Sequence, residues 1–110
     1  MLEPLVEVCT EHPEVRRESI LRAVRITETY LKSRIVDVVR HTREVNAAAL
    51  YIGNNWRFSG DVLTIATEPK RKVLAQYFGI KDNTLGYYAK KIKKYVGREE
   101  LKNILSSINQ

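Results

Sequence analysis

The sequence predicts an all-α domain of five or six helices, and three observations carry that prediction. Only three prolines and five glycines interrupt 110 residues, which leaves long stretches free of helix breakers. Apolar residues recur at spacings of three and four in several segments, the period of one helix face. One of these segments contains Ala47-Ala48-Ala49, and alanine combines the best helix propensity with a thin side chain. The length suits one domain over residues 1–110 rather than two. The apolar fraction of 44% is enough to build a core, so wholesale disorder is not expected.

Ile20, Leu21, Val24, Thr27, Tyr30 and Leu31 mark a first helix over about 14–32, with Arg16, Arg17, Glu18, Arg22, Arg25 and Glu28 on its other faces. Ile35, Val36, Val38 and Val39 are β-branched and would suit a strand. Their place between two strong helices favours a short helix instead. Val45, Ala48, Ala49, Ile52 and Trp56 form a stripe over 44–56, with Thr42 near its start as an approximate cap. Small residues let neighbouring helices approach closely, so this helix is expected at the centre as the most buried one. Ser59-Gly60-Asp61 reads as a turn, and Val62, Leu63 and Ile65 as a short strand or buried loop. Thr67 is expected to open the next helix, with Glu68 and Pro69 in its first turn, where acid and proline are favoured. Val73, Leu74 and Tyr77 give it an apolar side. Beyond Gly79, Asp82 begins a helix with Leu85, Ala89, Ile92 and Val96 as its buried stripe, and Gly97 ends it. A last helix over about 98–108 presents Leu101, Ile104, Leu105 and Ile108.

The net charge of +6 is unevenly spread. Residues 70–94 hold Lys70, Arg71, Lys72, Lys81, Lys90, Lys91, Lys93 and Lys94 against Asp82 alone, so this segment carries +7 and the remainder −1. A basic surplus confined to one segment points to a polyanionic partner. The plain alternative is a lysine-coated, solvated helix face. The segment of about 68–96 reads as helix, glycine turn, helix, the layout in which a second helix can enter the major groove of duplex DNA. With the Leu85–Ile92 face inward, Asp82, Asn83, Gly86, Tyr87, Lys90, Lys91, Lys93 and Lys94 are left outward or sideways. Asn83 and Thr84, near the helix start, are placed for base edges. The lysines suit phosphates, and Gly86 suits close backbone approach. The expected DNA-binding set is Lys70, Arg71, Lys72, Lys81, Asn83, Thr84, Gly86, Tyr87, Lys90, Lys91 and Lys94.

"AAALYI", residues 47–52, followed after a loop by "VLAQYFGIKDNTLGYYAKKI", residues 73–92, resembles the second cyclin-like repeat of transcription factor IIB and archaeal transcription factor B. Gly79-Ile80 and Thr84-Leu85 stand at that repeat's turn and recognition-helix pairs, and Ile92 at a buried leucine. The resemblance spans roughly residues 15–96. It implies a five-helix cyclin-like fold and contact with promoter DNA beside the TATA element from Asn83, Thr84, Gly86, Tyr87 and Lys90. It also implies a possible protein partner in the TATA-binding protein. Lys81, Gly86 and Tyr87 depart from the pattern, as does a long insert between Trp56 and Lys70. With a single cysteine there is no zinc ribbon, and no first repeat is present, so the chain is expected to be one domain of such a factor or a small relative.

Other chemistry finds little support. Cys9 is alone, which excludes an intramolecular disulfide and a cysteine-pair zinc site. His12 and His41 lie far apart, the serines lack a nucleophile elbow, and Gly53 and Gly60 make no phosphate loop. No cofactor is expected, and no enzyme. The start "MLEPLVEVC" is acidic and unlike a signal peptide, and no run of about 18 apolar residues occurs. A soluble intracellular protein is expected, cytoplasmic with the nucleoid in a prokaryote or nuclear in a eukaryote. Two other readings stand beside DNA binding. One is a cyclin-like adaptor that docks proteins through exposed tyrosines. The other is a small RNA-binding module with Tyr87 and Tyr88 as stacking platforms.

Overall fold

A computed structural model describes residues 17–65 and 70–107. In chain order these form α1 (Arg17–Ser33), α2 (Ile35–Arg40), α3 (Thr42–Asn55), β1 (Trp56–Ser59), β2 (Val62–Ile65), α4 (Arg71–Phe78), α5 (Asp82–Val96) and α6 (Arg98–Ser107). The described chain is thus mostly helical, with six helices and one small antiparallel hairpin.

α3 lies at the centre, packed by α1, α4 and α5. Val45 to Leu50 and Ile52 to Asn55 are all buried, so the helix is enclosed almost all round rather than along one stripe. The alanine run permits this, and Gly53 carries it furthest. A side-chain carbon there would sit 3.0 Å from the Ser19 carbonyl oxygen and 3.1 Å from Arg22 Cβ, so α1 touches the bare backbone of α3.

That contact explains a departure from expectation on α1. Its buried face is Ser19, Arg22, Ala23, Ile26, Thr27 and Tyr30, while Leu21, read as apolar core, is exposed. Arg22, assigned by the sequence to the solvated faces, is 1% exposed. Its Nη1 donates to the Gly53 carbonyl at 3.0 Å, and Arg57 Nη1 donates to the same oxygen at 2.7 Å. Two guanidinium groups therefore satisfy a carbonyl near the C-terminus of α3, where the helix dipole favours cations. Ser19 Oγ donates to Asn54 Oδ1 at 2.6 Å, closing the same seam. The expected start of α1 at residue 14 lies outside the described residues.

The short helix expected from Ile35 onward is present, but only Val38 of its apolar group is buried. Thr42 does not build a capping box: its hydroxyl donates back to the Val38 carbonyl at 2.7 Å, tying α2 to α3. Trp56 leaves the α3 stripe for an extended conformation (φ −103°, ψ 132°) and starts β1. The stretch beginning at Val62 is a strand, not a buried loop. It pairs Trp56 with Ile65 and Phe58 with Leu63, and all four β2 residues remain exposed. Gly60 allows the two-residue loop through its positive φ of 64°.

α4 begins at Arg71, because Lys70 is extended (φ −69°, ψ 151°) and occupies the N-cap. Thr67, Glu68 and Pro69, expected in its first turn, lie outside the described residues. At the other end Gly79 is left-handed (φ 69°, ψ 33°). Its N–H donates to Gln76 O at 3.1 Å and that of Ile80 to Ala75 O at 2.9 Å, the paired bonds of a Schellman ending. α5 follows from Asp82, as expected, and stops before Gly97. α6 buries Leu101, Ile104 and Leu105 against the core, and Ile108 lies outside the described residues.

Candidate nucleic-acid interface

At about 100° per residue, a helix divides its positions into faces. On α5, Leu85, Tyr88, Ala89 and Ile92 are buried. Asn83, Tyr87, Lys90 and Lys94, spaced at i, i+4, i+7 and i+11, are all exposed and form one outward stripe. Fifteen residues make a rod about 22 Å long. Asn83 lies in its first turn, Tyr87 is 56% exposed at mid-length, and the two lysines occupy the C-terminal half. Lys81 is the exposed N-cap residue just ahead of the stripe, and half-buried Thr84 lies beside it.

Lys70 and Lys72 are exposed on either side of Arg71. Arg71 itself is committed: its Nε and Nη2 donate to the Asp82 carboxylate at 2.7 and 3.0 Å. These bonds hold the Asp82 carboxyl below its usual range and the guanidinium above its own. The pair locks the start of α4 onto the first turn of α5. It also brings α4's lysines to the same end of the unit as Lys81 and Asn83. The guanidinium lies across Gly86, with Nη1 only 2.9 Å from where a side chain there would begin. Gly86 is thus occupied by Arg71, and its bare backbone is not presented outward as the sequence reading supposed.

The lysine run divides by face. Lys91 Nζ donates to Asp37 Oδ2 of α2 at 2.8 Å, and Tyr30 Oη donates to the same oxygen at 2.6 Å. The Lys91 bond, then the Tyr30 bond, depress the Asp37 carboxyl, and Asp37 in turn raises the Lys91 ammonium. Burial raises the Tyr30 phenol, and the bond to Asp37 adds to that rise. Arg34 extends the joint, donating to Tyr95 Oη at 2.8 Å with its guanidinium 4.1 Å from that ring. Lys91 therefore serves the packing of α5 on α1 and α2. Lys93 turns to the opposite flank, where its Nζ stands 4.0 Å over the Trp56 ring. Burial lowers its pKa, with Lys90 adding to the effect. Lys70, Lys72, Lys81, Lys90 and Lys94 remain exposed, and none is in a salt bridge shown among the described residues, although Lys72 lies near enough to Asp82 to help depress its carboxyl.

Tyr88 is buried, edge-on to Tyr87 at 5.1 Å and 5.6 Å from the His41 ring, so it offers no face for stacking a base. Sequence reasoning missed Arg43, whose exposed guanidinium on α3 lies 3.5 Å from the side-chain position of Gly79, next to the inter-helix turn. Its signal was weak, since it sits among polar residues at a helix start. Among the described residues no group of three or more His, Cys, Asp or Glu side chains is placed to hold a metal ion. No helix there is long and apolar enough to cross a membrane. Comparison with protein-family models, with curated proteins and with solved structures finds no match.

Proposed function

We propose that this chain is a DNA-binding domain of a transcription-initiation or transcription-regulatory factor, with a cyclin-like, transcription factor IIB-like fold. It acts as a binding module rather than an enzyme. α5 is the helix that lies in the major groove, and α4 braces it across Gly79. The observation that carries the proposal is the outward stripe of Asn83, Tyr87, Lys90 and Lys94 opposite a firmly buried Leu85–Ala89–Ile92 face. A solvated face needs no ordering of residue types along its length. This one places an amide at the N-terminal end, where recognition helices contact bases. The cations follow further along, where phosphates lie. The sequence resemblance supports the same reading through Gly79-Ile80 and Thr84-Leu85.

Roles follow from chemistry. An asparagine amide can bond adenine bidentately, with roughly 1–3 kcal/mol of discrimination. Lysines neutralise phosphates, which carry no sequence information. Selection of binding sites from a random duplex pool tests this. Asn83→Ala should relax preference at one base pair, while Lys90→Ala or Lys94→Ala should weaken all sequences alike. A lysine change that rewrites the selected motif, with Asn83→Ala leaving it intact, would overturn the assignment.

A second reading, protein docking, is favoured by α2. Ile35, Val36 and Val39 are exposed side by side on it with Arg40. An apolar face of this kind suits a protein partner, and the TATA-binding protein implied by the sequence resemblance is the candidate to test on it. The two readings are compatible, because α2 and the α5 stripe are separate surfaces.

A further inference from the structure

We propose that the hollow between the hairpin and the α5–α6 corner binds a small organic anion with an apolar body, an aryl- or alkyl-carboxylate. The hollow has a volume of about 340 Å³ and opens to solvent. Small-molecule sites start at roughly 300 Å³, so it holds one ring or a short chain but not a folded partner element. Its walls are Trp56, Phe58, Leu63, Leu101 and Leu105, and its cations are Lys93 and Arg98. Apolar walls with a few convergent polar groups are the ordinary make-up of such a site.

The two cations decide the class of ligand. Lys93 Nζ is held over the Trp56 indole, partly removed from water, with no carboxylate partner among the described residues. Burial and neighbouring Lys90 both work against its charge, so an anion arriving here relieves a cost the protein already carries. Asp61, the acid at the hairpin loop, is hydrogen-bonded by Lys102, and Arg98 feels its charge without bonding to it. Arg98, exposed at the start of α6, supplies a planar fork suited to a carboxylate. An inorganic phosphate or a nucleic-acid phosphate would leave the aromatic and leucine walls uncovered, and a neutral apolar molecule would leave Lys93 uncompensated. Only a molecule with both parts satisfies both. The site lies on the Lys93 flank of α5, beside the Asn83–Lys94 stripe rather than on it, so its ligand can be tested with no DNA present.

Trp56 is the only tryptophan in the chain, and its fluorescence reports directly on the hollow. The full chain would be titrated with 3-phenylpropionate and, separately, with 3-phenyl-1-propanol, which has the same body without the charge. The expected result is a saturable change with the acid and at least roughly tenfold weaker binding of the alcohol, the ratio of one charge-assisted hydrogen bond. Lys93→Met and Arg98→Gln should each weaken the acid by roughly tenfold and leave the alcohol unchanged. Lys93→Met keeps the length of a half-buried side chain and Arg98→Gln shortens an exposed one, and matching circular dichroism melts would confirm that the fold is retained. Amide shifts induced by the acid should centre on Leu63, Lys93 and Leu101. No saturation, equal binding of acid and alcohol, or an unchanged affinity in both variants would overturn the proposal. So would a Trp56 spectrum that changes when the protein alone is diluted, which would assign the hollow to a second copy of the chain.

Discussion

If the chain binds DNA as proposed, the salt dependence of that binding should separate lysines that face a phosphate from lysines that hold the fold. Five exposed lysines outside the salt bridges of the described residues flank the helix–glycine–helix unit: Lys70, Lys72, Lys81, Lys90 and Lys94. If each neutralises one phosphate, the slope of log K against log salt is about −0.9 × 5, or about −4.5. Raising salt from about 50 to about 200 mM is a fourfold change, so affinity should fall by a factor of about 500. Removing one such lysine lowers the slope to about −3.6 and the loss to about 150-fold. Lys90→Ala and Lys94→Ala should each give that smaller slope with unchanged stability.

Lys91→Ala should behave in the opposite way. Its ammonium is paired with Asp37, both side chains being mostly covered (19% and 17% exposed). Breaking a fully buried pair costs about 3–5 kcal/mol, and this one retains some solvent, so about 2 kcal/mol is expected. The slope should be that of the wild type. Fluorescence anisotropy of a labelled duplex over a salt series, paired with urea melts of the same variants, reads both quantities. A slope reduced by about 0.9 in Lys91→Ala but not in Lys90→Ala would refute the division of the lysine run by face.

Three further outcomes are expected. Asp37→Asn should lose about 2 kcal/mol at neutral pH. The Asp37 carboxyl is held below its usual range by Lys91 and Tyr30. Its contribution is therefore complete above an unfolded value of about 3.9 and disappears as pH falls through the folded value, so urea midpoints of wild type and variant should converge only in strong acid. Gly53→Ala places a methyl group 3.0 Å from the Ser19 carbonyl and 3.2 Å from the Ala23 nitrogen, which are backbone atoms that cannot swing aside. Overpacking of about 1–3 kcal/mol should outweigh the gain of up to about 1 kcal/mol from helix propensity, lowering the thermal midpoint. Gly86→Ala meets only the mobile end of Arg71, so stability should stay within about 1 kcal/mol of wild type. The displaced guanidinium should let the Asp82 carboxyl rise toward its ordinary pKa, seen by NMR titration.

The helical order was legible in the sequence because it rests on local chemistry. Gly79 and Gly97 punctuate helices through backbone freedom that no neighbour has to supply, and the stripe of Leu85, Ala89 and Ile92 needs only the helical period. What was not legible depends on residues far apart in the chain. Arg22 looks like its neighbours Arg17 and Arg25, and only the bare backbone of Gly53, 31 positions away, makes it a buried donor. Trp56 continues the α3 period in sequence. It turns into a strand because Val62 to Ile65 offer it a partner beyond Gly60. Gly86 reads as open backbone until Arg71, drawn by Asp82, is laid across it.

The lysine run shows why composition overstates such a surface. Lys90, Lys91, Lys93 and Lys94 look equivalent in sequence, yet successive residues point about 100° apart, so no more than two of them can share a narrow face. The two that coincide, Lys90 and Lys94, are one turn apart and exposed. Lys91 is taken by Asp37 and Lys93 by the Trp56 hollow. The two diverted lysines are nevertheless part of how the stripe is aimed, since one ties α5 to α2 and the other lies against the hairpin. A lysine-rich helix with all its cations in solvent would carry more charge and have fewer constraints on its rotation. In this arrangement α5 gives up two cations to fix which face the remaining two present. That fixed presentation is what Asn83 requires if it is to meet one base edge rather than the backbone at large.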